Sequence, residues 1–100
     1  MLVKQLAYDW GPDNIRCNTV SPGSTATGLT PGYADEEFRR QSEAKIPIRR
    51  VGEAEDVANA IVFLLSPMAR QITGADLIVD GGLNTTLLMA APESWKADRK

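Results

Sequence analysis

The sequence has 100 residues, of which 43% are hydrophobic and 24% are charged, with a formal net charge of −2. This composition is typical of a globular domain, and the absence of a basic stripe with interleaved aromatics argues against a nucleic-acid partner. Without histidine and with a single cysteine, the chain cannot use Ser-His-Asp catalysis, a His-based metal site or an intrachain disulfide. No apolar run is long enough to span a membrane, and a cytoplasmic location is expected.

The first half of the chain predicts a helix and then a strand. Residues 1–10 place Leu2, Leu6 and Trp10 on one apolar helix face, and the GPDN segment that follows ends the helix. No capping residue precedes Met1, which suggests that the helix naturally begins upstream. Residues 15–20 predict a strand that stops at the Ser-Pro-Gly turn, because proline has no N–H to donate to the ladder.

The second half predicts two helices and a further strand. After a Thr-, Gly- and Pro-rich loop at 24–34, acidic residues at 35–37 predict the first turn of a helix that ends at Ile46-Pro47. Residues 54–66 predict the clearest helix of the chain, and the apolar run at 77–79 predicts a strand covered on both faces. The buried stripe expected on the clearest helix consists of Val57, Ala58, Ile61, Leu64 and Leu65.

The order of these elements predicts an α/β fold. Two strands separated by helices favour a parallel pair joined by a right-handed helical crossover. Two parallel strands alone would leave both outer edges of the sheet open, which is a poor free-standing arrangement. The fold predicted from the sequence is therefore incomplete.

Three segments resemble the short-chain dehydrogenase/reductase family. Residues 15–23, IRCNTVSPG, are similar to its sixth-strand pattern I-R-V-N-x-V-x-P-G. Residues 50–58, RVGEAEDVA, are similar to R-x-G-x-P-E-E-V-A, with Ala54 in place of the common proline. Residues 72–82, ITGADLIVDGG, resemble the last strand, I-T-G-x-x-x-x-V-D-G-G. The three segments follow the family's order and spacing.

The resemblance implies a partial Rossmann-type fold, the C-terminal part of a doubly wound parallel sheet with flanking helices. It covers residues 1–84 and leaves 85–100 as a C-terminal tail. It also implies NAD or NADP as cofactor and a small alcohol or ketone as the substrate of the full-length family. Residues 29–46 match the family's mobile substrate lid.

The same resemblance assigns the cofactor-binding residues. In such folds the ligand lies beyond the carboxyl ends of the strands, where the loop after the first strand would contact the nicotinamide. Gly23 would allow a planar ring to approach closely because it has no Cβ. The residues that match the family's contacts are Pro22, Gly23, Thr25 and Thr27.

These residues also have simpler interpretations. A Pro-Gly pair after a strand can be an ordinary turn, and Thr27 can be an ordinary loop hydroxyl. Asn18 is interpreted as a structural hydrogen-bonding residue. Gly52 and the Asp-Gly-Gly segment at 80–82 are interpreted as turn and packing residues.

The family's catalytic parts do not occur in the sequence. The phosphate-binding pattern G-x-x-x-G-x-G is absent. The family's catalytic pair Tyr-x-x-x-Lys, in which the tyrosine is the general acid/base, and its catalytic serine are absent too, since neither Tyr8 nor Tyr33 has a lysine four positions later. By the family's spacing that lysine would lie a few residues before Met1. No catalytic residue is therefore assigned, and the chain alone is expected to bind the cofactor weakly or not at all.

Two hypotheses follow for the role of the chain. In the first, it is a fragment of an NAD(P)-dependent short-chain dehydrogenase/reductase and is inactive by itself. In the second, it is a small non-catalytic protein that docks on full-length relatives. The family commonly oligomerises through the matching helices and last strand, so a homo-oligomer is expected in either case.

Overall fold

The computed structural model describes residues 1–27 and 31–87. Short 3-10 turns lie between the regular elements at Gly11–Asp13, Pro31–Ala34 and Pro67–Ala69, and a further one, Leu83–Leu87, follows the last strand. The helices and strands, in chain order, are α1 (Leu2–Trp10), β1 (Thr19–Pro22), β2 (Thr25–Ala26), α2 (Glu36–Glu43), β3 (Gly52–Glu53), α3 (Ala54–Leu65) and β4 (Asp76–Val79).

The main sheet is the predicted parallel pair. β1 and β4 run side by side, with Thr19 opposite Asp76 and Pro22 opposite Val79. The connection between them contains α3, which packs on both strands. The predictions of an α/β fold and of a helical crossover between parallel strands are therefore confirmed.

β1 lies further along the chain than predicted. Residues 15–18 are outside the strand, and several of the hydrogen bonds that join them to the segment before β4 involve a side chain instead of two backbone groups. The Asn18 amide donates to Ile72 O and accepts from Ala75 N, and Cys17 N donates to Thr73 Oγ1. The strand also includes Pro22, which was predicted to end it. The ladder continues through the next residue, since Gly23 N donates to Val79 O at 3.0 Å.

A second, smaller parallel pair was not predicted. Thr25 in β2 lies opposite Gly52 in β3, and Ala26 lies opposite Glu53. Gly52 N donates to Ser24 O at 2.8 Å at the start of this pair. The pair joins the loop after β1 to the beginning of α3.

The helix α2 is shorter than predicted at both ends. Asp35 is its N-cap rather than part of its first turn, and its Oδ1 accepts from Glu37 N and Phe38 N. The helix ends at Glu43, three residues before Ile46, because the next backbone bonds tighten to the i→i+3 type. Asp35 satisfies donors at the helix start that have no partner within the helix.

Burial is concentrated in a few positions. Ile46 and Val51 are 2% and 1% exposed, and Leu64 is the buried residue of α3. The predicted stripe on α3 is only partly covered, since Leu65 is 77% exposed. The prediction that β4 is covered on both faces is wrong for the described residues, since Ile78 is 45% exposed.

Within residues 1–27 and 31–87, no helix is long and apolar enough to cross a membrane.

Candidate cofactor-binding site

The proposed nicotinamide-side loop begins where β1 ends. Because the two strands are parallel and Pro22 lies opposite Val79, their carboxyl ends meet at one edge of the sheet. Gly23 and Asp80 follow directly at that edge. The structure therefore brings the Pro-Gly loop to the position where ligands bind in parallel sheets.

Gly23 packs against the end of the neighbouring strand. A Cβ added to Gly23 would lie 2.5 Å from Asp80 Cβ and 2.9 Å from Asp80 Cα, which is closer than real side chains approach. The expected reason for this glycine was room for a planar ring, whereas the structure supplies another reason in the packing of two strand ends. A larger residue at position 23 would force Asp80 and the loop apart.

Two threonines follow in the same loop. Thr25 is half-buried, and its Oγ1 donates to Gly23 O at 3.0 Å, so this hydroxyl holds the loop in shape. Thr27 is exposed at the far end of the loop, one residue beyond β2. Hydroxyl and backbone amide groups of this kind both donate and accept hydrogen bonds, which fits the uncharged carboxamide of a nicotinamide ring.

Asp80 fixes the turn on which the loop rests. Its Oδ1 accepts from Gly82 N at 2.9 Å and its Oδ2 accepts from Asn84 N at 2.8 Å. Gly81 has a φ of +65°, and a Cβ there would lie 2.7 Å from Ile46 Cγ2. The interpretation of the Asp-Gly-Gly segment as turn and packing residues is confirmed, and its packing partner is the segment after α2.

Two open clefts flank the sheet. The smaller, of about 470 Å³, borders the proposed site and is lined in part by Pro22, Gly23, Asp80 and Asn84. The larger, of about 890 Å³, lies between α1, the residues before and at the start of β1, and α3; we call it the apolar cleft. The apolar cleft is lined in part by Leu2, Leu6, Val20, Ile61 and Leu65. Because it lies away from Gly23, its size does not make it the cofactor site.

Two polar residues of the first matched segment stabilise the fold. Arg16 donates to Leu64 O at 2.7 Å and to Ser66 O and Ile72 O at 3.3 Å, so its charge sits at the carboxyl end of α3. A cation is favourable there because it balances the helix dipole. Asn18 has the structural role predicted for it, since its amide bridges to residues 72 and 75. The role of Arg16 was not predicted, although this residue stands in the matched pattern.

The helix α2 belongs to the segment that matches a substrate lid. Residues 29 and 30 of that segment lie outside the described residues. Near the beginning of α2, the rings of Tyr33 and Phe38 pack with centroids 5.4 Å apart. Phe38 is 44% exposed and packs on Tyr33 rather than in the buried core.

Two side chains of α2 also contact β3 and Val51, the residue directly before β3. Arg39 Nη2 lies 2.9 Å from Glu53 Oε1 and Arg39 Nε lies 3.5 Å from Glu43 Oε2. The hydrogen bond to Glu53 is the main factor that raises the pKa of Arg39 above its usual value. Glu43 Oε2 also accepts from Val51 N at 2.9 Å. Sequence analysis missed this group because its members are separated along the chain.

Comparison with known proteins identifies the class. The family model described as Enoyl-(Acyl carrier protein) reductase matches residues 1–84. The L-rhamnose 1-dehydrogenase (NAD(P)(+)) of Azotobacter vinelandii is 46% identical over 87 residues, which are 86% of this chain and 34% of that protein. A tropinone reductase homologue of Arabidopsis thaliana is 38% identical over 92 residues, which are 92% of this chain and 35% of that protein.

Solved structures agree with this classification. A 4-hydroxyisoleucine dehydrogenase complexed with NADH has a TM-score of 0.76 and 34% identity, over 84% of this chain and 35% of that chain. A short-chain dehydrogenase/reductase from Burkholderia thailandensis has a TM-score of 0.74 and 38% identity, over 87% of this chain and 37% of that chain.

The chain belongs to the short-chain dehydrogenase/reductase family. It spans about a third of the length of the relatives that it matches. Nicotinamide dinucleotides are the cofactors of these relatives, one of which is named for NAD(P)+ while another holds NADH.

Proposed function

We propose that the chain forms the nicotinamide-side part of an NAD(P)-dependent oxidoreductase that acts on the alcohol or carbonyl group of a small molecule. The observation that carries the proposal is the Pro22–Gly23 loop at the joint carboxyl ends of β1 and β4, in a chain of this family. Residues 1–84 contribute the cofactor loop and the lid helix. The acid/base tyrosine, its lysine and the serine are contributed by polypeptide beyond these 100 residues.

Each residue of the loop has a definite part in the proposal. Gly23 holds the loop against Asp80, and Thr25 braces it through the bond to Gly23 O. Pro22 and Thr27 lie on either side, so their backbone and hydroxyl groups bind the carboxamide and fix the orientation of the ring. The bound nicotinamide supplies the carbon that gives or takes the hydride.

The direct test is a chimera. Residues 1–84 replace the matching third of the Azotobacter rhamnose dehydrogenase, and NAD(P)H formation is measured with L-rhamnose. The chimera is expected to be active if this chain supplies a competent cofactor loop. The chain alone is expected to give no turnover above background with a panel of alcohols and ketones. A folded chimera that fails to bind NAD(H) and NADP(H) would refute the proposal.

A second function is favoured by the apolar cleft. Leu2 is 72% exposed and Leu65 is 77% exposed, so the cleft offers apolar surface to another polypeptide. In this alternative the chain is a small non-catalytic protein that docks on, or oligomerises with, full-length relatives. Sedimentation of the purified chain, alone and with a full-length relative, tests it. A monodisperse monomer with a sharp, reversible unfolding transition, and no binding to the relative, would exclude it.

The proposed compartment is the cytoplasm. The half-buried free Cys17 is compatible with a reducing compartment, where thiols persist. Fractionation of cells that express a tagged chain, with antibody detection, tests this assignment.

A further inference from the structure

We infer that the Arg39–Glu53 ion pair couples the position of the lid helix α2 to the cofactor-side loop, defined here as residues 22–27. For its consequence in cofactor binding the inference rests on the proposed function. Its structural part, the coupling of two segments, stands on contacts within the chain. Arg39 and Glu53 are positioning residues rather than catalytic residues.

Glu53 is the point at which three segments meet. Its backbone lies opposite Ala26 in the small parallel pair, so it is joined to the cofactor-side loop. Its N–H donates to Asp56 Oδ2 at 2.8 Å, which fixes it to the first turn of α3. Its carboxylate binds Arg39 at 2.9 Å, which reaches it from α2. A displacement of α2 that keeps the ion pair must therefore move β3.

The rest of α2 is held unevenly. Its C-terminal end is fixed because Glu43 accepts from Val51 N, and both Val51 and Ile46 are almost fully buried. Near its beginning the Tyr33 and Phe38 rings pack on each other, Phe38 is exposed, and the turn Pro31–Ala34 contacts β2. The C-terminal end of α2 is therefore held by buried side chains, and its beginning by more exposed contacts. Arg39 lies between the two ends, so the ion pair links the middle of α2 to the strand that pairs with the cofactor-side loop.

The chain offers a matched control. Arg40 forms an ion pair with Glu37, but both residues belong to α2 and neither reaches β3. Arg40→Gln therefore removes the same charge from the same helix without breaking a link to the loop. The side chains of Arg39 and Glu53 are 34% and 57% exposed, so the coupling is expected to be modest and sensitive to salt.

The first experiment needs no cofactor. Hydrogen exchange of the 100-residue chain is followed by NMR at the Gly52 amide, which donates to Ser24 O. Arg39→Gln is expected to speed this exchange roughly two- to fivefold, and Arg40→Gln is expected to leave it unchanged. Equal exchange in the parent and in Arg39→Gln would overturn the inference.

The second experiment uses the chimera with the rhamnose dehydrogenase, which is called the parent here when its Arg39 is unchanged, and it follows the amides of Thr27 and Phe38 as NADH is added. In the parent, both are expected to shift, whereas in Arg39→Gln only Thr27 is expected to shift. Equal shifts at Phe38 in both proteins would overturn the coupling. If NADH shifts neither amide in the parent, the proposed cofactor site is wrong, and the exchange rate at Gly52 still decides whether the two segments are coupled.

Discussion

The sheet edge that carries the proposed site differs sharply from the apolar cleft. At the edge, the loop after β1, the turn after β4 and the segment after α2 pack on one another, and Ile46 is 2% exposed. In the cleft, Leu65 is 77% exposed. The contrast shows that the proposed site is built from contacts within this chain, whereas the cleft has apolar surface that the described residues do not cover.

The largest expected effect is on the free energy of unfolding, which should depend strongly on a side chain at the sheet edge and weakly on one in the apolar cleft. Ile46→Ala removes a buried side chain and is expected to lower the free energy of unfolding by about 2–5 kcal/mol. Leu65→Ala is expected to change it by less than about 0.5 kcal/mol, because the side chain is exposed. Urea denaturation followed by circular dichroism measures both values. Should Ile46→Ala unfold the chain, Ile46→Val, with an expected cost of about 0.5–1.5 kcal/mol, replaces it.

Ile46→Ala and Leu65→Ala can also be compared in the chimera with the rhamnose dehydrogenase, by the same measurement of the free energy of unfolding. If further polypeptide covers the apolar cleft there, Leu65→Ala should become clearly destabilising, while Ile46→Ala keeps a similar cost. A Leu65→Ala effect that is negligible in both settings would mean that nothing packs on this part of the cleft.

A smaller effect concerns the turn after β4. Gly81→Ala is expected to cost about 1–3 kcal/mol, because φ is +65° and the new Cβ would meet Ile46. Gly11→Ala is the matched control, since Gly11 has a φ of −54° and nothing lies within 4 Å of an added Cβ. It is expected to be neutral or slightly stabilising. Thermal unfolding of the two variants gives the comparison, and similar melting temperatures would contradict it.

The smallest expected effect is on the cofactor. In the chimera, Thr27→Val removes a hydroxyl while nearly keeping the shape, and cofactor affinity should fall roughly two- to tenfold. Thr19→Val makes the same chemical change at the other end of β1 and should leave affinity unchanged. Calorimetry measures the dissociation constants. If Thr27→Val binds NAD(H) and NADP(H) as tightly as the parent, the hydroxyl has no part in the site.

Gly23→Val should weaken binding more than Thr27→Val, but for a reason that only the structure supplies. The new side chain would collide with Asp80 and displace the loop. Circular dichroism and the exchange rate of the Gly23 amide, which donates to Val79 O, would show this displacement before any cofactor is added. An undisturbed loop with normal affinity would contradict both the packing and the assigned role.

The elements with strong local signals could be predicted from the sequence. The apolar periodicity and acidic first turn of α3, the GPDN stop after α1 and the run at 77–79 all lie where the structure has them, within a few residues. The β1–β4 pairing followed from the order of elements, and the Pro-Gly loop from the family's pattern. These features depend on neighbours along the chain or on a motif that is contiguous.

The features that were missed depend on residues far apart in sequence. The β2–β3 pair has two residues per strand, which is too short for an alternation pattern. The contact of Arg39 with Glu53 requires the fold to bring α2 to β3, and the bonds of Arg16 join residues about 50 positions apart. The exposure of Leu65 could not be predicted either, because periodicity identifies an apolar face without showing what covers it.

The segment between β2 and β3, which contains α2, is anchored in two places. One anchor is the pairing of Thr25 with Gly52, and the other is the burial of Ile46 and Val51. Most residues between these anchors can change in length and composition while β1 and β4 keep their pairing. Under the proposed function, substrate preference could then be re-engineered in this segment with little change to the framework that holds it.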